Sequence, residues 1–310
     1  MYLVFDNQMS KDVTLRQLRY FAAAARTGRF SMAAADEHVS QSAVTNAVLA
    51  LEAQLGVRLF DRHPHGVTLT PEGHNFHQRT RDVLDSLDDA LREPGFQRYA
   101  LRGSVRIAAS YTVLGYFLPD LLARFRRRYP DVVLDLVDLD RSDIEAAVAS
   151  GDVELGVALL SNVEHRERFG HQVLVRSRRQ LWTASGHPLL QAPSPPSLAD
   201  IAQYPYILLE MDEGERSALA YWQARGLRPD IAFRTRSMEA LRGLVAHGFG
   251  VTMLSDMVYR PWSLEGRKIE AVPIVDAVPP MEVGLLWHPR AAIAKPAEAF
   301  RQFMMYACGV

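Results

Sequence analysis

The sequence predicts an α/β protein in three parts: a small helical unit closed by a β-hairpin, one long helix, and a two-lobed α/β region. Three observations predict it. Three short helical periodicities and two extended runs fill the first 70 residues, a single long helical pattern with a narrow apolar stripe follows, and beyond Gly103 strand-like and helix-like segments alternate. With 310 residues and 48% apolar content, the chain has side chains enough for two or three separate cores.

Taken in order, Thr14 and Gln17 form a capping-box pair ahead of Leu15, Leu18, Phe21, Ala22 and Ala25, and Gly28 ends this first helix. Ser31 is expected to start a second, alanine-rich helix that stops near His38. Ser40 starts a third, in which Val44, Val48, Leu51 and Leu55 recur at helical spacing until Gly56. RLFDR (58–62) and VTLT (67–70) read as two strands around the His63-Pro64-His65-Gly66 turn. Thr70, with Pro71 at the first helical position, opens a long helix that reaches Glu93, before Pro94 and Gly95. Its stripe of Phe76, Thr80, Val83, Leu84, Leu87, Ala90 and Leu91 is narrow and suits a partner helix, which points to dimerisation through Phe76, Thr80, Val83, Leu87 and Leu91.

In the α/β region, VRIAAS (105–110), VVLDLVD (132–138) and ELGVALL (154–160) are strand-like, with helices at 112–128 and 142–150. A second set follows in 206–210, 231–236 and 251–255, with helices near 215–225 and 238–247. IEAVPI (269–274), VGLLWH (283–288) and a helix from Pro296 to Ala307 complete the chain. The alternation implies a mostly parallel sheet in each of two lobes, with a ligand crevice at the carboxyl ends of strands. The expected boundaries are 14–70 for the first domain, 71–93 for the linker helix and 94–310 for the last, with lobe I at about 103–175 and 276–310 and lobe II at about 176–275.

A net charge of -1 gives no global argument for a nucleic-acid partner, so any such affinity must come from local placement of charge. The single Cys308 forms neither an internal disulfide nor a multi-cysteine metal site, which fits a reducing compartment. The start lacks a signal-peptide pattern and no segment approaches a membrane span, so a cytoplasmic protein without a membrane partner is expected.

The segment from Thr14 to Gly73 resembles the DNA-binding domain of LysR-type transcriptional regulators. The helix lengths, Phe30 before Ser31, the Ala33-Ala34 pair, VSQSAVT, and the run from LGVRLFDR to LTPEG match in order. SGDVELGV (150–157) and SMEALRGLVAHGFGVTML (237–254) look like later family segments. The resemblance implies a winged helix-turn-helix, a dimerisation helix, and an effector domain similar to a periplasmic binding protein. It implies double-stranded operator DNA and a small-molecule effector as partners, and a homodimer that pairs into a homotetramer.

The residues support this without the family name. The second helix of such a motif enters the major groove, and Gln41, Ser42, Thr45 and Asn46 stand away from the Val44, Val48 and Leu51 stripe with groups that can donate to and accept from bases. Ser31 lies beside them, while Arg58 and Arg62 flank the wing, where guanidinium groups suit phosphates or a narrow minor groove. Members of the family often carry basic residues mid-way along the recognition helix; here no Lys or Arg occurs from 40 to 57. Seven basic groups offset six acidic ones over residues 1–70, so two or more linked headpieces are needed for useful affinity.

For the effector, Ser110 and Thr112 lie at a strand end and helix start, match cleft positions of the family, and suit an anion. Arg141 suits a carboxylate or phosphate, or is a solvated arginine beside Asp138 and Asp143. Ser161, Arg216, Ser217, Ser237 and Met238 are further candidates, each equally readable as a cap or packing residue. The sequence contains no GxGxxG after a strand, P-loop, HExxH or GxSxG, so an enzyme reading has no constellation behind it, and no cofactor or metal is expected. A solute-binding protein would explain the lobes but not residues 14–93. The expected function is sequence-specific transcription regulation under control of a small organic anion.

Overall fold

Local capping signals, followed in the chain by their helices, set up the N-terminal unit of the computed structural model. The structure describes residues 13–63, 66–92 and 101–310, with backbone alone for 78, 82, 85, 86, 88–92, 213 and 214. The chain divides into two units, residues 1–99 and 100–310.

In the first unit, Thr14 and Gln17 form the expected reciprocal cap on α1 (Leu15–Thr27), and Gly28 ends it at φ 67°. The next helix, α2 (Phe30–Asp36), starts one residue earlier than expected, with Arg29 at its N-cap and no side-chain cap, so Ser31 is free of that role. Ser40 caps α3 (Gln41–Leu55) by accepting from the amide of Ala43, and Gly56 closes it at φ 69°. Phe21, Val44, Val48, Leu51, Leu59 and Phe60 make the core between these helices and the wing.

The wing is shorter than its sequence pattern. Its strands are β1 (Phe60–His63) and β2 (Gly66–Leu69), antiparallel. Glu52 of α3 accepts from the amides of Leu59 and Phe60 at 2.7 and 3.1 Å, and this takes the start of the predicted strand out of the ladder. Thr70 likewise serves the next helix, accepting from Gly73 at 2.9 Å while donating to the Arg58 carbonyl at 2.7 Å. That helix, α4, spans Pro71–Arg92.

The second unit holds two lobes. Lobe I is a five-stranded sheet in the order β4-β3-β5-β12-β6, built from β3 (Gly103–Ala109), β4 (Val132–Asp138), β5 (Leu155–Leu159), β6 (Gly170–Ser177) and β12 (Met281–Trp287). The helices α5 (Tyr111–Tyr116), α6 (Leu118–Arg128), α7 (Arg141–Ser150) and α11 (Lys295–Ala307) flank it. The single helix expected over 112–128 divides at Phe117, because Pro119 begins a new first turn.

Lobe II pairs β7 (Arg179–Ala184) between β10 (Thr252–Ser255) and β11 (Ile269–Val272), and β8 (Pro205–Leu209) beside β9 (Asp230–Thr235). Amides of Ile207 and Val251 link β8 to the chain entering β10, each at 2.9 Å. The short α8 (Leu198–Ile201), with α9 (Gly214–Gln223) and α10 (Met238–Ala246), completes the lobe.

The parallel sheet expected from the sequence is thus mixed. β3 is parallel to β4 and β5, and β8 to β9, but β12, β6, β7, β10 and β11 pair antiparallel. The strands β6 and β7, absent from the sequence reading, carry the chain from lobe to lobe without a helix, and a strand that needs no crossover helix is free to pair antiparallel. Among the described residues no helix is long and apolar enough to cross a membrane.

One buried group in the first unit titrates. His77 of α4 sits edge-on to Phe21 at 6.0 Å, and burial, then the charges of Arg81 and His74, lower its pKa from 6.5 to about 4. The unfolded chain therefore takes up a proton that the folded unit refuses, so this support is complete above pH 6.5 and is lost as pH falls towards 4. Acidification from pH 7 to pH 4 should cost the headpiece on the order of 1–2 kcal/mol through this residue, after allowing for partial solvent screening. Circular-dichroism melts should show the acid loss in the wild type and a smaller one in His77→Gln; equal pH profiles would disprove it.

Candidate functional site

Gly28 and Gly66 bring the wing against the turn between α1 and α2. The Val67 amide donates to the Gly28 carbonyl at 2.8 Å, and a β-carbon at position 66 would lie 2.3 Å from that oxygen. The close approach leaves an open groove of about 570 Å3, lined by Arg29, Phe30, Ser31, Gln41, Thr45, Arg62, His63, Gly66 and Val67. Arg62 lies over the Phe30 ring at 5.4 Å, so its guanidinium is positioned at the groove. Among the described residues, no carboxylate lines it.

Four of the seven expected DNA-binding residues thus converge: Ser31, Gln41, Thr45 and Arg62. Ser42 and Asn46 are exposed on α3 outside this lining, with the Ser42 hydroxyl 2.9 Å from that of Ser40. Arg58 also lies apart. It precedes β1, donates to the Phe60 carbonyl and pairs with Asp61 at 3.6 Å. Arg29 lines the groove but was not singled out from the sequence; its only signal there was its place between Gly28 and Phe30.

The expected dimerisation stripe divides along α4. Phe76 packs into the headpiece core, 5.2 Å from Phe21, and Thr80 is buried, so neither is available as a seam residue. Val83 is 48% exposed and Leu87 is half-buried, and the Leu91 side chain lies outside the described residues. The sequence stripe therefore serves two purposes, first the core of its own unit and then a surface.

In the second unit a cavity of about 40 Å3 lies between the lobes. Thr112, Leu159, Asn162 and Met281 line it from lobe I, and Arg179, Ser217, Met238 and Ser255 are among its walls from lobe II. Thr112, Ser217 and Met238 are the expected effector residues that reach it. Ser110 is buried at the N-cap of α5 but does not line it. Arg141 pairs with Glu145 one turn along α7 and does not line the cavity. Ser161 accepts from the Glu282 amide at 3.4 Å, Arg216 pairs with Glu164 at the surface, and Ser237 caps α10 through the Ala240 amide. Five of the eight expected residues, Ser110, Arg141, Ser161, Arg216 and Ser237, are thus outside the cavity's lining.

Sequence reasoning missed Asp212. Its carboxylate accepts from the Thr112 amide at 2.9 Å, and the Asn162 side-chain amide donates to its carbonyl at 2.6 Å. Asp212 holds the left-handed conformation, φ 51° and ψ 32°. Burial raises its pKa above the usual carboxylate value, against the opposing hydrogen bond from Thr112. Asn162 Oδ1 and Ser255 Oγ are buried without hydrogen-bond partners among the described residues, although both residues line the cavity.

Residues 15–74 match the family model for the bacterial regulatory helix-turn-helix protein of the lysR family, and residues 99–309 match the LysR substrate binding domain. The chain belongs to the LysR family of transcriptional regulators. It is a DNA-binding transcription regulator with a substrate-binding domain, and the family consists of regulators rather than enzymes. YcgK, a helix-turn-helix transcriptional regulator of Bacillus subtilis, is 31% identical over 79% of this chain and 81% of its own. GltR of the same organism is 30% identical over 82% of this chain and 84% of its own. The crystal structure of HinK, a LysR family regulator from Pseudomonas aeruginosa, is similar with a TM-score of 0.63 at 26% identity, covering 95% of this chain and 98% of that one.

Within this LysR-family headpiece, Gly73 is the residue that lets α4 start beside the wing. A β-carbon there would fall 2.0 Å from the Leu59 carbonyl oxygen, so backbone must move. Gly73→Ala should destabilise the headpiece by about 1–3 kcal/mol, read from chemical denaturation. An unchanged midpoint would show that the wing yields without cost.

Proposed function

We propose that the groove of the N-terminal unit reads operator DNA, with Gln41 and Thr45 addressed to base edges and Arg29 and Arg62 to phosphates. Ser42 and Asn46, exposed on the same helix, extend that surface. The observation that carries the reading is the convergence of two guanidinium groups and the start of α3 on one groove that no carboxylate among the described residues lines. A structural neighbour supports it: CbnR, solved in complex with its target DNA, resembles this chain with a TM-score of 0.55 at 20% identity, over 95% of this chain and 99% of that one. Such a regulator acts in the cytoplasm.

The reading assigns 14–70 to the DNA-binding domain, 71–93 to a linker helix that pairs two chains through Val83 and Leu87, and 94–310 to the effector domain. The pair associates further into a homotetramer. A small organic anion binds between the lobes, against Thr112, Ser217 and Met238, with Asn162, Arg179 and Ser255 added to the set. It changes the arrangement of the paired DNA-binding domains through its different affinity for two states of the protein.

Gln41→Ala should weaken binding to the chain's own upstream DNA by roughly 1–3 kcal/mol and relax its sequence preference. Arg62→Ala should instead weaken binding to all sequences alike and flatten the salt dependence. Gel shifts over a range of salt measure both, and wild-type affinity and specificity in both variants would remove the assigned roles. Replacing Val83 and Leu87 by Glu places charge on the proposed seam, so light scattering should find smaller assemblies; an unchanged mass would put the seam elsewhere.

A further inference from the structure

We propose that Asp212 is a built-in occupant of the effector cleft, whose carboxylate clasps lobe II to lobe I through Thr112, and that an anionic effector binds by displacing it. The proposal rests on the reading of the cleft as the effector site and adds the device that regulates it.

The clasp is a two-point attachment. Asp212 follows β8 in lobe II, yet both of its polar ends are bonded to lobe I: the carboxylate accepts from the Thr112 amide and the carbonyl accepts from Asn162 Nδ2. A non-glycine residue at φ 51° is uncommon, and here the twist turns both acceptors to the same lobe. Further contacts among the described residues bridge the lobes. Arg216 of lobe II pairs with Glu164 of lobe I, and the Tyr116 ring of lobe I has the guanidinium groups of Arg242 and Arg260 at 5.4 and 5.2 Å.

With the clasp made, the space beside it is too small for an effector. A cavity of about 40 Å3 is well below the size of ligand pockets, which run to roughly 300 Å3 and above. Its walls nevertheless carry two buried acceptors or donors with no hydrogen-bond partner among the described residues, Asn162 Oδ1 and Ser255 Oγ. Buried polar atoms without partners are uncommon, and here they mark a surface complementary to something larger that enters when the lobes part.

The chemistry of the displacing group follows from what the clasp occupies. The Thr112 amide is a donor, and its hydrogen bond favours the ionised carboxylate. A free carboxylate can take the same donor. Release is not strongly opposed, because burial makes the Asp212 charge costly where it sits and the freed side chain regains solvent. The lobes are joined by the strand passage at Ser177–Arg179, where the Asp256 amide donates to the Arg178 carbonyl at 2.9 Å and the Met257 amide to the Ser177 hydroxyl at 3.0 Å, which gives the opening a defined pivot.

The test uses the full-length protein and acetate as the probe, with acetamide as the neutral control. Asp212→Gly removes the carboxylate and suits the left-handed backbone, so folding is preserved. Calorimetry should find acetate binding at least tenfold tighter to Asp212→Gly than to the wild type, and no binding of acetamide. Hydrogen exchange over residues 111–117 should quicken at least tenfold in the variant and return to within twofold of the wild type when acetate is added. Equal acetate affinities in the two proteins would overturn the clasp while leaving the effector cleft in place; acetate silence in both would overturn the anion site with it. If Asp212→Gly does not fold, Asp212→Asn keeps the shape without the charge, and unchanged exchange at 111–117 would likewise overturn the proposal.

Discussion

The insertion of β12 between β5 and β6 is the constraint on which the two-lobed unit depends. Its pairing brings the last part of the chain back into the first lobe, so the polypeptide must pass between lobes twice. Gly284 makes the fit possible: a β-carbon there would stand 2.3 Å from the Gln172 carbonyl oxygen and 2.3 Å from a Leu160 methyl. The ladder shifts register between Val283 and Gly284 at this point. Because two strands of chain join the lobes, their relative motion is confined to a hinge, and a contact such as that of Asp212 with Thr112 acts along a defined path rather than against free diffusion.

The groove of the headpiece works under a different restriction. Its unit carries nearly balanced charge over residues 1–70, and no cation lies on α3. On the proposed reading, affinity for a polyanion comes from the guanidinium groups that line the groove, Arg29 and Arg62, and from repetition of the unit in an assembly. The proposed seam would use the exposed Val83 on α4, whereas Phe76, earlier in the same stripe, packs against the headpiece core and Thr80 is buried.

Local signals in the sequence were legible and distant ones were not. Thr14, Gly28, Ser40 and Gly56 act within four residues of themselves, and each stands where the helix ends demanded. Ser31 did not, because Arg29 and Phe30 take the first positions of α2. The strands β6 and β7 escaped because Arg176, Arg178 and Arg179 interrupt their apolar pattern, while their partners lie as much as about a hundred residues away in the chain. Asp212 was hidden for the same reason, since its meaning depends on Thr112, a hundred residues back. Arg141 was the converse case: Glu145 was in plain view one turn along the helix, and local pairing outweighed the analogy of position.

Glu52 joins the reading helix to the wing more rigidly than a hydrophobic contact would. One carboxylate oxygen takes two consecutive amides, Leu59 and Phe60, and both of those side chains are buried in the core beneath. The helix and the hairpin consequently behave as the two jaws of a caliper set to one opening. If α3 reads bases as proposed, substitutions on its outer face would redirect which bases are favoured while the span from α3 to the wing stays the same, so new operator preferences would be open to this scaffold without rebuilding the headpiece.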